Sequence, residues 1–128
     1  MKQVCIKFKI MKATVISTII LILSFYYGKD PLTGRWESKP SEKGNVTGVI
    51  FKSDSSFEGY VNKKIFVSGH YSFQGDIFSF VDNGCDGKRG MYKIIFFSHS
   101  DSLRFEAIAD SCTERRKGMG RLVLGKVK

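Results

Sequence analysis

The chain has 128 residues, with 21 Lys and Arg against 12 Asp and Glu, which gives a net charge of +9. This length fits one domain and excludes two separate cores or a large multi-part active site. With 42% hydrophobic and 13% aromatic residues, the composition also excludes an intrinsically disordered chain.

The amino-terminal segment has the pattern of a secretory signal. Four lysines precede an uncharged run from Ala13 to Tyr27 that is rich in Ile and Leu. The run is about five residues shorter than the roughly 20 that span a bilayer. This favours a signal peptide over residues 1–27, with translation starting at Met1 or Met11 and an uncleaved anchor as the alternative. We therefore expect an exported protein (periplasmic, cell-envelope or secreted) whose domain covers residues 28–128 and carries a charge of +5.

Two cysteines remain in that domain, Cys85 and Cys112. An even pair in an oxidising compartment is typical of a disulfide. The bond would close a loop of about 28 residues and contribute about 3 kcal/mol in the chain-entropy model. The chain has no CxxC motif, and neither histidine has the spacing of a metal ligand to these cysteines, so we expect no metal site and no cofactor.

After Tyr27 the apolar residues alternate with a period of two, which indicates β-strands. Tight turns separate the segments, and a single helical turn is expected near Ser111–Lys117. Sequential antiparallel pairing of eight strands predicts an all-β, up-and-down eight-stranded barrel without exposed edges, with a β-sandwich as the alternative. The predicted strands are Thr33–Ser38, Val46–Phe51, Ser56–Val61, Gly69–Phe73, Asp76–Phe80, Gly90–Ile94, Asp101–Phe105 and Arg121–Val127.

Short motifs in this part of the chain resemble those of the lipocalins and related calycin barrels, in particular the small bacterial lipocalin-like domains. Gly34-x-Trp36 follows Asp30-Pro31-Leu32, and Cys85 precedes a Gly-x-Tyr strand beginning at Gly90. Asp110-Ser111-Cys112-Thr113-Glu114-Arg115 comes later. The resemblance implies an eight-stranded barrel. It also implies a basic residue stacked on Trp36, either Arg121 or Arg115, in a structural role shared with Gly34.

The predicted inward face of the barrel is strongly aromatic. A barrel of eight strands either is filled by its own side chains or holds one small ligand. The ligand hypothesis places a small apolar or amphipathic molecule among inward rings, with the hydroxyls of Tyr71 and Tyr92 as polar contacts. Its candidate ligand-binding residues are Trp36, Tyr71, Phe78, Phe80, Tyr92 and Phe105. The full inward face is Trp36, Val49, Phe51, Phe57, Tyr71, Phe73, Phe78, Phe80, Tyr92, Ile94, Phe96, Leu103 and Phe105.

The alternative function is an envelope protein-interaction module, an inhibitor or assembly component, whose barrel is filled and whose contact lies around Arg115. Neither His70 nor His99 has the partners of a catalytic site, so we expect no enzyme and no catalytic residue. The basic runs Lys63-Lys64 and Arg115-Arg116-Lys117 are not interleaved with aromatic residues, which argues against nucleic acid as a partner. We expect a monomer that contacts a membrane only through residues 13–27, if these are retained.

Overall fold

Alternating apolar and polar residues favour short antiparallel strands, and the computed structural model, which describes residues 30–128, contains eight of them. The predicted signal segment over residues 1–27 lies outside the described part. The strands are β1 (Gly34–Glu37), β2 (Thr47–Phe51), β3 (Ser56–Val61), β4 (Lys64–Gln74), β5 (Ile77–Asp82), β6 (Gly90–Phe97), β7 (Ser102–Ala109) and β8 (Val123–Lys126).

Each strand pairs with the next one along the chain, and β8 pairs back with β1. In this last pairing Trp36 lies opposite Lys126 and Glu37 opposite Gly125. The sheet is thus a closed antiparallel barrel, which confirms the predicted all-β, eight-stranded architecture and excludes the sandwich.

The connections divide the barrel into two ends. At one end, which we call the floor end, lie residues 30–33 and the turns 52–55, 75–76 and 98–101. The helix end carries the loop 38–46, the turn 62–63, the loop 83–89 and the helix α1 (Thr113–Arg121). The longer connections are therefore all at the helix end.

The predicted inward face is the core of the molecule. Ten of its thirteen residues are buried, and Val49, Phe73 and Phe96 are partly buried against them. Leu32 and Leu124 complete the buried cluster. The alternation of apolar and polar residues therefore predicted which side chains face inward, because a register shift of one residue would turn every inward ring outward.

Residues 30–33 seal the floor end. The indole Nε1 of Trp36 donates a hydrogen bond of 2.8 Å to the carbonyl oxygen of Leu32, and both side chains are fully buried. The hydroxyl of Tyr71 donates to Oδ2 of Asp30 at 2.8 Å. In the half of the barrel nearer the floor end, Phe96 packs against Phe73 and Trp36, with ring centroids 6.2 and 6.3 Å apart, respectively. This half of the barrel is filled.

Two predicted segments were wrong in the carboxy-terminal region. The single helical turn near Ser111–Lys117 is instead the nine-residue helix α1, which ends at Arg121. The last strand accordingly begins at Val123, two residues later than predicted. Among residues 30–128, no helix has the length and apolar character that a membrane span requires.

Candidate functional site

A cavity of about 390 Å³ lies inside the barrel at its helix end. Strands β2, β3, β4, β5 and β7 form its wall, and α1 lies across it. The lining is almost entirely apolar, with Asp82, Glu114 and Arg115 as its charged members. The remaining lining residues are Thr47, Gly48, Val49, Phe51, Phe57, Gly59, Phe66, Val67, Phe78, Phe80, Phe105, Gly118, Met119 and Leu122.

Five buried phenylalanines form the bottom of this cavity: Phe51, Phe57, Phe78, Phe80 and Phe105. Their rings pack in edge-to-face, tilted and stacked arrangements. The Phe51–Phe78 and Phe57–Phe80 centroids are each 5.7 Å apart at steep angles, and Phe78 stacks on Phe80 at 5.1 Å. Such interlocked rings hold one another in place, which makes the bottom of the cavity a rigid apolar surface.

One inward position of the cavity wall on β3 is a glycine. On β3 the inward position after Phe57 is Gly59. A Cβ atom at Gly59 would lie 2.5 Å from Cγ1 of Val67, closer than real Cβ contacts allow. The missing side chain at Gly59 therefore accommodates the Val67 side chain of the paired strand β4, which lies in the wall of the cavity.

Helix α1 is fixed over the cavity by a covalent bond at its start. Cys112 is the residue before the helix, and it is joined to Cys85, whose Cα atom is 5.9 Å away. Cys85 begins the short 3-10 turn Cys85–Gly87 in the loop after β5. The predicted disulfide is thus present, and it attaches the helix to the neighbouring rim of the barrel.

A buried ion-pair cluster fixes the first turn of the helix. Arg115, whose side chain is 8% exposed, donates from Nε and Nη2 to the two carboxylate oxygens of Asp110, each at 2.8 Å. Its Nη1 donates to Asp82 at 3.3 Å, and Nη2 also donates to the carbonyl oxygen of Lys88 at 2.9 Å. The guanidinium lies 4.8 Å from the ring centroid of Phe80. The bidentate pairing of the guanidinium with the Asp110 carboxylate is specific to arginine, and it sets the position of α1.

Charge in this cluster is set by burial and by hydrogen bonds. Burial alone would raise the pKa of Asp110, but hydrogen bonds from Arg115, Tyr92 and the Cys112 backbone outweigh it and lower that pKa to about 2. Burial, together with the bond that its hydroxyl donates to Asp110, raises the pKa of Tyr92. At neutral pH the carboxylate is therefore charged and the phenol neutral.

The structure separates the six predicted ligand-binding residues into two groups. Phe78, Phe80 and Phe105 line the cavity, whereas Trp36, Tyr71 and Tyr92 are not among its lining residues. The Tyr71 and Tyr92 hydroxyls already donate to Asp30 and Asp110. Throughout residues 30–128, every buried side-chain nitrogen and oxygen has a hydrogen-bond partner.

The cation over Trp36 is Lys126, with Nζ 5.5 Å from the ring centroid, and this corrects the expectation of Arg121 or Arg115. Arg121 is exposed at the last position of α1, because β8 begins beyond it. Lys126 occupies the place because it is paired with Trp36 in the β1–β8 register. Gly34 begins β1 with a φ of +130°, a conformation that favours glycine.

Within the basic run that was predicted as a partner contact, the Arg115 guanidinium is enclosed by Asp82, Asp110 and Phe80, whereas Arg116 is exposed. Lys117 is exposed beside Glu114. His70 is exposed on β4, and His99 lies in the turn before β7. In the described chain, no group of three or more His, Cys, Asp or Glu side chains is arranged to hold a metal ion.

Several lining residues were missed from the sequence. Met119 lies in the helix that was predicted too short, Leu122 follows that helix, and Phe66 is the extra residue at a register shift between β3 and β4. Asp82 and Asp110 resembled ordinary turn residues. Their pairing with Arg115 spans up to 33 positions and has no local signal in the sequence.

The chain matches no protein-family model, and neither the curated proteins nor the solved structures contain a significant match to it.

Proposed function

We propose that this protein is an exported, non-enzymatic, lipocalin-like binding protein that holds one small apolar or amphipathic molecule. The cavity under α1 carries this proposal. Ligand sites typically enclose about 300–1,000 Å³ and combine apolar walls with a few polar groups. At about 390 Å³, this cavity has the size and the lining of such a site.

The volume also bounds the ligand. An apolar cavity of about 150 Å³ accommodates one benzene molecule. The cavity here is more than twice as large, so it suits a molecule with two fused rings or a short branched chain. The hydrogen bonds of Arg115 to Asp110, Asp82 and Lys88 occupy the polar side, so shape and apolar contact select the ligand.

Export is the second part of the proposal. A disulfide such as Cys85–Cys112 persists in oxidising compartments. The signal-like pattern over residues 1–27 points the same way, and the Gly34-x-Trp36 motif at the floor end of a closed barrel supports a lipocalin-like relationship.

The test uses two glycines of α1 as a matched pair. Gly118 lines the cavity and Gly120 does not, and a Cβ atom at either position would meet nothing within 4 Å. Leucine raises helix propensity equally at both positions. The two variants therefore differ only in whether the new side chain enters the cavity. The probe is N-phenyl-1-naphthylamine, a neutral dye with a naphthyl and a phenyl group whose emission rises in apolar surroundings, titrated into the full chain.

We expect saturable one-to-one dye binding by the wild type and by Gly120→Leu. Gly118→Leu should bind about tenfold more weakly or worse, which corresponds to about 1.4 kcal/mol of lost contact. Equal binding by both variants would place the dye elsewhere. Absence of saturable binding by the folded wild type, across a panel of apolar dyes of this size, would favour the envelope interaction module with its contact in the basic segment around Arg115.

A further inference from the structure

The charge of the barrel is concentrated at the helix end. The residues of this end, 38–46, 62–64, 82–90 and 110–122, contain ten basic and five acidic side chains. Two of those acids, Asp82 and Asp110, are buried against Arg115. The rest of the described chain contains six basic and seven acidic side chains. The net positive charge of residues 30–128 therefore lies around the opening of the cavity.

Exposed apolar residues lie on the same rim. The tip of the β3–β4 hairpin is Asn62-Lys63, both with positive φ, and Lys64 begins β4. The next two side chains, Ile65 and Phe66, are 55% and 63% exposed, the highest values among the large apolar residues of the described chain. We call residues Lys63–Phe66 the rim hairpin.

Phe66 connects this hairpin to the cavity. The pairing of β3 with β4 shifts between Gly59 and Tyr60, so Phe66 is an extra residue of β4. Its ring lies 3.7 Å from where a Cβ atom of Gly59 would be, and the ring lines the cavity while staying open to solvent. An aromatic ring at the opening of an apolar cavity, next to two lysines, is suited to an interface between water and lipid.

We propose that the helix end docks on the surface of an anionic lipid bilayer through the rim hairpin. Ile65 and Phe66 enter the headgroup boundary, and Lys63 and Lys64 contact lipid phosphates. The cavity then opens toward the bilayer. This membrane contact is additional to any contact made by residues 13–27. Docking does not require a ligand in the cavity, so the docking proposal and the ligand proposal are tested separately.

The arrangement of apolar and basic side chains on the rim hairpin favours a lipid over a nucleic acid as the partner. A single strand would be bound by aromatic rings that stack on successive bases along a basic groove. Here Phe57, Tyr71 and Phe73 of the β3–β4 hairpin belong to the core, Tyr60 is buried against Gly48, and the exposed companion of Phe66 is the aliphatic Ile65. An aliphatic side chain is stabilised when it enters the acyl region of a bilayer, but it cannot stack on a nucleic-acid base.

The experiment measures which end of the barrel touches lipid. In the full chain, Phe66→Trp and Phe97→Trp place an indole at an exposed position of the helix end and of the floor end, respectively. The native Trp36 is fully buried in both variants and supplies the same background. Vesicles of phosphatidylglycerol and phosphatidylcholine with brominated acyl chains quench an indole that enters the headgroup boundary.

We expect strong quenching at position 66 and little at position 97. The reversal Lys63→Glu/Lys64→Glu should weaken partition onto anionic vesicles about 30-fold or more, the value for two lysines at about 1 kcal/mol each. The matched control is Lys93→Glu/Lys128→Glu, which makes the same charge change at residues outside the helix end. This control should keep the quenching at position 66.

Three results would overturn the docking proposal. Equal quenching at both positions would mean that the barrel has no preferred orientation on the bilayer. If vesicles of phosphatidylcholine alone quenched position 66 as strongly as the anionic vesicles, the lysines would have no role in docking. Binding of a DNA duplex or heparin without quenching at position 66 would identify a soluble polyanion as the partner of the basic rim.

Discussion

At the scale of single residues, Arg115 is the most constrained side chain of the helix end. It joins three segments of the chain by pairing with Asp110 and Asp82 and by donating to the carbonyl oxygen of Lys88. Both carboxylates are buried. A buried pair of this kind is costly to break, because the remaining charge has neither water nor a partner.

We therefore expect Arg115→Ala to lower the free energy of unfolding by about 3–5 kcal/mol. The control is Arg104→Ala, because Arg104 pairs with Glu106 on the surface at 3.5 Å with both side chains about half exposed. Its loss should be below about 1 kcal/mol. Urea unfolding at pH 7 measures both values, and similar losses in the two variants would contradict the structural role of the cluster.

The pH dependence of stability provides a second test of the cluster. The pKa of Asp110 falls from its ordinary value of 3.8 to about 2 on folding. A lowered folded-state pKa stabilises the protein above the unfolded-state pKa, and this stabilisation is lost as the pH falls toward 2. The shift corresponds to about 2 kcal/mol.

We expect Asp110→Asn to be less stable than the wild type at pH 6, with the difference shrinking by about 2 kcal/mol as the pH falls from 5 to 2. Urea unfolding of both proteins across this range gives the difference directly. A difference that stays constant from pH 6 to pH 2 would show that the Asp110 carboxylate does not gain stability from its partners in the folded state.

At the scale of elements, α1 shows why part of the site was not predictable. Its sequence, TERRKGMGR, contains two glycines and a single apolar residue, Met119. It therefore has neither high helix propensity nor an apolar stripe, the two signals by which helices are recognised. The helix is stabilised from outside, by the disulfide at Cys112 and by the ion pairs of Arg115.

Glycine substitutions should accordingly have opposite effects in different elements. Gly120→Ala lies in an exposed stretch of α1 with nothing within 4 Å of the added methyl group, so it should stabilise the protein by about 0.5–1 kcal/mol. Gly69→Ala on β4 would place the same methyl group 2.0 Å from the carbonyl oxygen of Val81. It should destabilise the protein by about 1–3 kcal/mol.

Thermal unfolding of the two variants beside the wild type measures this contrast. Because the chemical change is identical, the sign of each effect reports the surroundings of the glycine alone. Stabilisation by Gly69→Ala would mean that β4 and β5 are further apart than the structure places them.

At the scale of the whole molecule, closure of the barrel and the disulfide act together. Pairing of β8 with β1 leaves each strand with a neighbour on both sides. The Cys85–Cys112 bond spans 27 positions and encloses β6 and β7. It restricts the unfolded chain and also ties α1 to the rim of the barrel.

We expect reduction of this bond to lower the free energy of unfolding by about 3 kcal/mol, the chain-entropy value for a loop of this length. Urea unfolding of the wild type with and without dithiothreitol gives the loss. The double variant Cys85→Ser/Cys112→Ser should reproduce it and should not respond to dithiothreitol. A response of the double variant to the reductant would assign the effect to something other than this bond.

The sequence by itself determined the number and order of the strands, the inward face and the disulfide, but not the start of β4, which is Lys64 instead of Gly69. Strand alternation is a local signal with a period of two, and seven of the eleven phenylalanines stand at inward positions. The Cys85–Cys112 pairing needed no geometry, because only two cysteines remain after the signal-like segment.

Only the tertiary structure decided that the barrel is filled at the floor end and open at the helix end. The difference depends on contacts that strand alternation does not predict: α1 over five phenylalanines, and Arg115 against Asp82 and Asp110. A count of aromatic residues cannot distinguish the two cases, because the same rings form the filled core and the bottom of the cavity. The closed strand order places these rings together, and α1, attached through the Cys85–Cys112 bond and Arg115, lies across the cavity that they line.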